Sequence, residues 1–147
     1  MEINTGICRF GLWRVRVEWS DDLIHRISFI RTGDESYIPV QIKQFLTGKK
    51  TDLSPLKSIA LSDGYPFSEI YRAVMEIPYG ETRTYSEIGK MTGTHHRTVG
   101  VAMRRNPTPL IIPCHRVISK NGPGGFTPDI EIKKSLIKME NKVLKSL

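Results

Sequence analysis

Between residues 11 and 19 the apolar side chains Trp13, Val15, Val17 and Trp19 alternate with the charged Arg14, Arg16 and Glu18. A period of two is the repeat of a strand that buries one face and wets the other, so this stretch commits the start of the chain to sheet. Ser20-Asp21-Asp22 supplies turn chemistry, and residues 23–30 resume as a strand with Ile27 and Phe29 on one face. The first thirty residues therefore predict antiparallel sheet. A short helix is expected over residues 38–46, closed by Gly48. Residues 49–65 lose all periodicity in a mixture of Ser, Thr, Asp, Pro and Gly, and read as a linker.

After that linker the period changes. Pro66 sits where a proline is tolerated, in a first helical turn, and Ile70, Val74 and Ile77 follow at helical spacing up to Pro78-Tyr79-Gly80. Two short helices are expected over residues 86–91 and 94–105, separated by Thr92-Gly93, which is a helix-turn-helix pattern. Asn106-Pro107 stops the second of them. Residues 121–125 hold three glycines and a proline and predict a loop, and a last helix is expected over residues 129–145. The fold class is α+β, divided into a sheet-rich part (1–62) and a mostly helical part (63–147).

Charge follows the same division. The 147 residues carry a net charge of +7. Residues 1–65 hold 9 Lys/Arg against 8 Asp/Glu, whereas residues 66–147 hold 13 against 7. The positive field belongs to the helical half, and a polyanion such as duplex nucleic acid is its natural partner. A solvated basic surface is the plainer alternative. No apolar run reaches the roughly 18 residues of a membrane span. The start lacks the basic-then-apolar pattern of a secretory signal, so a cytoplasmic protein without membrane contact is expected.

Cys8 and Cys114 are far apart and lack a C-x-x-C spacing, so neither a disulfide nor a zinc site is predicted. Cys114 is followed by His115 and Arg116, groups that can lower a thiol pKa and raise its thiolate fraction. In the last helix Leu136, Ile137, Val143, Leu144 and Leu147 form an apolar stripe, and Lys133 and Glu140 fall inside it. A carboxylate on a packed face needs a partner or becomes protonated. Two partners are open: His115, giving a Cys-His-Glu relay, or Lys133 in a simple ion pair. In the second helix of the helix-turn-helix, Arg97, Arg104 and Arg105 supply cations, and the small Gly100 and Ala102 allow close backbone approach. His95 and His96 are adjacent and do not share a face as an i, i+4 metal pair would, so no metal site is expected there.

These residues carry a resemblance. Arg97-Thr98-Val99-Gly100, Asn106-Pro107 and Pro113-Cys114-His115-Arg116-Val117 resemble the active-site region of the 6-O-alkylguanine-DNA alkyltransferases, from about residue 66 to residue 140. The resemblance implies a small RNase H-like first domain and a winged helix-turn-helix-like second domain. It implies direct reversal of 6-O-methylguanine, and of related 6-O-alkylguanine or 4-O-methylthymine, with irreversible transfer of the alkyl group to Cys114. His115 would act through a water as the base, oriented by Glu140. Tyr85 would lie by the base pocket and donate a proton, and Asn106 would be a hinge. Arg97 would fill the gap left by the flipped base. Thr98, Gly100, Ala102, Arg104, Arg105 and Arg116 would contact DNA. Met103, Val117, Gly125, Phe126 and Thr127 would line the pocket.

The family uses its helix-turn-helix in the minor groove, where an unaided reading would have placed the second helix in the major groove. The resemblance further implies a monomer acting on alkylated double-stranded DNA with no cofactor; the zinc ligands of some members are not evident in this sequence, so no metal is expected. Phe126 stands where the family commonly has Tyr, which removes a hydroxyl contact. Pro128-Asp129-Ile130 stands where Gly-Gly-Leu is frequent, which predicts a stiffer pocket loop. Two other functions compete: a protein that binds alkylated guanine without reacting, and a transcription regulator with a redox-sensing cysteine.

Overall fold

A computed structural model describes residues 2–145. Leu147 of the expected apolar stripe lies outside them. Strands β1 (Asn4–Phe10), β2 (Trp13–Ser20) and β3 (Leu23–Ile30) form an antiparallel meander, and the short β4 (Lys57–Ser58) adds in parallel to β3. The period-two pattern does what it predicts: Val15, Val17 and Trp19 are buried while Arg14, Arg16 and Glu18 lie toward solvent. Helix α1 (Val40–Leu46) packs Ile42 and Phe45 on that face.

The core under the sheet is completed from the second half of the chain. Leu110, Ile111, Ile132 and Leu136 belong to it together with Val15, Ile24 and Phe45. The expected linker is not free chain. The Ser58 hydroxyl lies 2.6 Å from Thr108 Oγ1 in the interior, and Ser58 Oγ also accepts from the Ala60 N–H. Residues chosen for side-chain bonding have no hydrophobic period, which is why the sequence hides this tie.

Helices α2 (Ser68–Met75), α3 (Tyr85–Thr92) and α4 (His96–Arg104) surround a second core of Ile70, Tyr71, Val74, Ile88, Val99 and Ala102. Pro66 is not in a first turn: α2 starts at Ser68, after Phe67 at φ +64°. Thr84 and Glu87 form a reciprocal capping box at the start of α3, and Gly93 ends it in the left-handed conformation. Ala102 is fully buried, and its carbonyl accepts the Tyr71 hydroxyl at 2.8 Å. Its small size therefore serves packing of α2 on α4, a correction to its expected place on a DNA-facing surface.

The chain then passes Leu110, at φ +79°, into a single 3₁₀ turn at Cys114–Arg116 and the strand β6 (Val117–Ile118). Strand β6 pairs in parallel with β5 (Arg83–Thr84), which leads directly into α3. The last helix, α5 (Ile130–Lys145), packs across the 3₁₀ turn.

Candidate active site

Cys114 opens the 3₁₀ turn. Its N–H donates to Ile112 O at 2.7 Å, and the Arg116 N–H donates to Pro113 O at 2.9 Å, so the turn is closed by the residues around Pro113. Cys114 is 6% exposed and lines a pocket of about 700 Å³. Tyr85, Arg97, Gly100, Met103, Arg104, Asn106, Gly125, Phe126 and Thr127 line the pocket with it, as do His96, Val101 and Pro109, which the sequence did not mark. Residues far apart in the chain thus converge on one sulfur.

The next two residues of the turn, His115 and Arg116, belong to a buried charge cluster. His115 Nε2 is 2.6 Å from Glu140 Oε2, and both residues are almost fully buried. Arg116 Nε donates to Glu140 Oε1 at 3.0 Å and Nη2 to Oε2 at 3.0 Å, while its Nη1 donates to Ile77 O at 2.9 Å. The Gly80 N–H also donates to Oε1, at 2.9 Å. Burial alone would raise the Glu140 pKa, but the His115 and Arg116 bonds outweigh it and hold the carboxyl at about 2. An ionised Glu140 can only accept, so His115 carries its proton on Nε2. Nδ1 is left with its lone pair, buried and without a hydrogen-bond partner among the described residues. Burial lowers the His115 pKa against the pull of Glu140, which favours the neutral ring.

The thiol does not gain its reactivity from Arg116, as the sequence suggests. That guanidinium is consumed by Glu140 and by the Ile77 carbonyl, which also removes it from the expected DNA-contacting set. Burial pushes the Cys114 pKa up; the Asn106 amide, the Lys133 cation and the N–H groups of Cys114 and His115 counteract it. A protonated resting thiol with a neutral imidazole beside it in sequence is the ground state of a nucleophile that needs a base.

Lys133 does not pair with Glu140. Its ammonium donates to Val117 O, to Gly125 O at 3.2 Å and to Tyr85 Oη at 3.4 Å, and it lies 5.5 Å from the centre of the Tyr85 ring. Burial lowers its pKa to about 8, and Cys114 opposes the shift. The sequence shows only that Lys133 stands on a packed face; its role as a tie between the pocket loop, Tyr85 and β6 is not legible there. Gly124, also unmarked, sits at φ +78°, and a Cβ there would lie 2.7 Å from Tyr85 Oη.

Asn106 joins α4 to the cysteine turn. Its Nδ2 donates to Ile112 O at 2.9 Å, and its Oδ1 accepts from the Thr108 N–H at 3.0 Å. Val117 is fully buried in the second core and does not line the pocket, because its strand pairs with β5. Thr98, on α4, is half-buried, and Arg105, the cap residue after α4, is exposed; neither lines the pocket. Arg97, in the first turn of α4, and Arg104, in its last, are exposed at the pocket wall. His95 is the N-cap of α4: its Nδ1 accepts from the Arg97 N–H at 3.1 Å.

Fold and site define an α+β protein with a helix-turn-helix and a single cysteine at the base of a cation-rimmed pocket. Residues 66–142 match the family described as 6-O-methylguanine DNA methyltransferase, DNA binding domain. A methylated-DNA–protein-cysteine methyltransferase of Metallosphaera sedula is 32% identical over 133 residues, which cover 85% of each chain. A protein of the same name from Saccharolobus solfataricus is 46% identical over 77 residues, about half of each chain (52% and 51%). The Mycobacterium tuberculosis OGT protein, solved in complex with DNA, superposes with a TM-score of 0.75 at 24% identity, covering 93% of this chain and 92% of its own. The chain belongs to the 6-O-methylguanine-DNA methyltransferase family.

Proposed function

We propose that this protein repairs DNA by moving the alkyl group of 6-O-methylguanine, and of related 6-O-alkylguanine or 4-O-methylthymine, irreversibly onto Cys114. The observation that carries the reading is Cys114 at the pocket, followed in the same 3₁₀ turn by His115, whose buried imidazole is paired with Glu140. A lesion in duplex DNA hides its substituent in the stack, so the base is extruded into the pocket at a cost of a few kcal/mol. Arg97 occupies the gap, and α4 lies in the minor groove with Arg104, Arg105 and Thr98 on the backbone. His115 Nδ1 takes the Cys114 proton through a water, and the imidazolium is stabilised by Glu140. The sulfur attacks the alkyl carbon; the S–C bond forms as the C–O6 bond breaks. Tyr85 protonates the departing guanine, and the proton that His115 took from the thiol returns to the Tyr85 phenolate, so both side chains end neutral. The thioether has no route back, so each molecule, a cytoplasmic monomer, acts once.

Intact-mass measurement after incubation with duplex DNA containing 6-O-methylguanine tests this. One methyl group per molecule is expected, mapped to Cys114, with none transferred by Cys114→Ala. Methyl loss from DNA in the presence of Cys114→Ala would refute the assignment.

A further inference from the structure

The outer face of α5 carries a feature that the cysteine chemistry does not use. Lys134, Lys138, Lys142 and Lys145 follow one another at steps of four, four and three, so they share one helix face, and all four are exposed. At 1.5 Å per residue the row is about 16 Å long. With Pro123, Ile137 and Asn141 they form a groove of about 590 Å³. Glu131, 3.4 Å from Lys134, is the one carboxylate of α5 available to the row among the described residues, because Glu140 is turned inward to His115 and Arg116. A single loop separates this groove from the cysteine pocket: Pro123 lines the groove, and Gly125, Phe126 and Thr127 line the pocket.

We propose that the lysine row of α5 is a second DNA-backbone contact, which receives duplex flanking the base held in the pocket. This rests on the DNA-repair reading above. A linear row of mobile ammonium groups suits a linear array of charge, and one DNA strand presents a phosphate about every 3.4 Å of axis. A second copy of this chain fits less well: its net charge is +7, and neither of its halves is acidic. Ammonium contacts to phosphate carry no sequence information, so the row adds affinity at any site rather than at lesions.

The test measures binding of the full chain to unmodified duplex, longer than two helical turns, across a range of salt. For every phosphate that a variant no longer neutralises, the slope of log K against log salt becomes shallower by about 0.9. Lys138→Glu with Lys142→Glu is therefore expected to reduce the slope by about 1.8 and to weaken low-salt binding several-fold. The milder pair Lys138→Gln with Lys142→Gln moves in the same direction and guards against misfolding of α5. Lys43→Glu with Lys57→Glu makes the same change of net charge in the sheet-rich part and is expected to keep the wild-type slope. An unchanged slope in the α5 variants, or an equal reduction in the control, overturns the proposal. So does altered self-association with an unchanged slope, which assigns the face to a second copy. Methyl transfer to Cys114 is read by mass in parallel. Transfer with an unchanged slope removes the lysine row from DNA binding and leaves the repair reading intact, whereas no transfer by the wild-type protein removes the repair reading itself.

Discussion

Glu140 Oε2 lies 2.6 Å from His115 Nε2 in a site where the imidazole is fully buried. The two residues are 25 positions apart, and the bond exists because α5 lays its apolar stripe across the cysteine turn. One carboxylate thereby fixes the tautomer of the base, neutralises Arg116 and closes the turn at Gly80.

Glu140→Gln keeps the shape and removes the charge. Arg116 is then left without its counter-ion in the interior, and taking one partner from a buried pair costs about 3–5 kcal/mol. One of the two acceptor oxygens becomes an NH2 donor and the charge that would stabilise the imidazolium is gone, so single-turnover transfer is expected to fall about 10²- to 10⁴-fold. Urea denaturation and rapid-quench transfer separate the two effects; full stability with full rate would show that the pair does neither job.

Acid stability should follow the same group. The folded pKa of Glu140 is about 2 against an ordinary value of 4.5. A depressed carboxylate contributes stability above its unfolded pKa and loses it as pH falls through the folded value. The wild-type protein is thus expected to lose stability as pH falls from 4.5 toward 2, and Glu140→Gln should show a flatter curve there. Denaturation midpoints across that window check it.

Lys133 has its pKa lowered too, but here the fold penalises the charge rather than stabilising it. Its folded pKa, about 8, lies below the ordinary 10.5, so burial of the cation costs stability at neutral pH. Between those two values the unfolded chain binds the proton and the folded one does not, and stability should rise with pH. Lys133→Met removes that rise. It also frees the Val117 and Gly125 carbonyls and the Tyr85 hydroxyl, so transfer is expected to slow, with Lys133→Arg unable to restore it in so confined a site. A wild-type rate in Lys133→Met would show that the tie does not position the pocket.

How much of the molecule is legible in its sequence depends on the kind of order involved. The strand around Val15 and Val17 and the helix around Ile70 and Val74 announce themselves by period, because burial on one face leaves a repeating mark. Cys114 is visible by the His115 and Arg116 that follow it, and Glu140 as a carboxylate out of place on an apolar stripe. Arg116 misleads because sequence adjacency to Cys114 says nothing of direction: within one 3₁₀ turn the guanidinium points to Glu140. Ala102 misleads because smallness serves a packed helix crossing as well as a DNA surface. The Ser58–Thr108 tie and the three acceptors of Lys133 leave no periodic trace, since each joins distant segments.

Arg97→Ala tests the extrusion step separately from chemistry. The exposed guanidinium at the pocket wall is proposed to fill the stack, and its removal leaves the flipped state short of a few kcal/mol. Each 1.4 kcal/mol is tenfold, so repair of duplex is expected to slow by about ten- to a hundredfold. Reaction with free 6-O-methylguanine base needs no extrusion and should change little. Equal slowing on both substrates would remove Arg97 from the flipping step.

Gly124→Ala probes the pocket from the other side. At φ +78° an L side chain is strained, and the new Cβ would lie 2.7 Å from Tyr85 Oη and 2.9 Å from its Cε2. The loop cannot retreat freely, because Lys133 holds the next carbonyl, that of Gly125. The phenol is therefore the group expected to yield, and its hydroxyl leaves the position from which it would protonate guanine. Transfer should slow on duplex and on free base alike, which distinguishes this variant from Arg97→Ala. Cys114 should keep its reactivity toward a small alkylating reagent, since the His115–Glu140 pair is untouched. A wild-type transfer rate in Gly124→Ala would show that the position of the Tyr85 hydroxyl does not matter to the reaction.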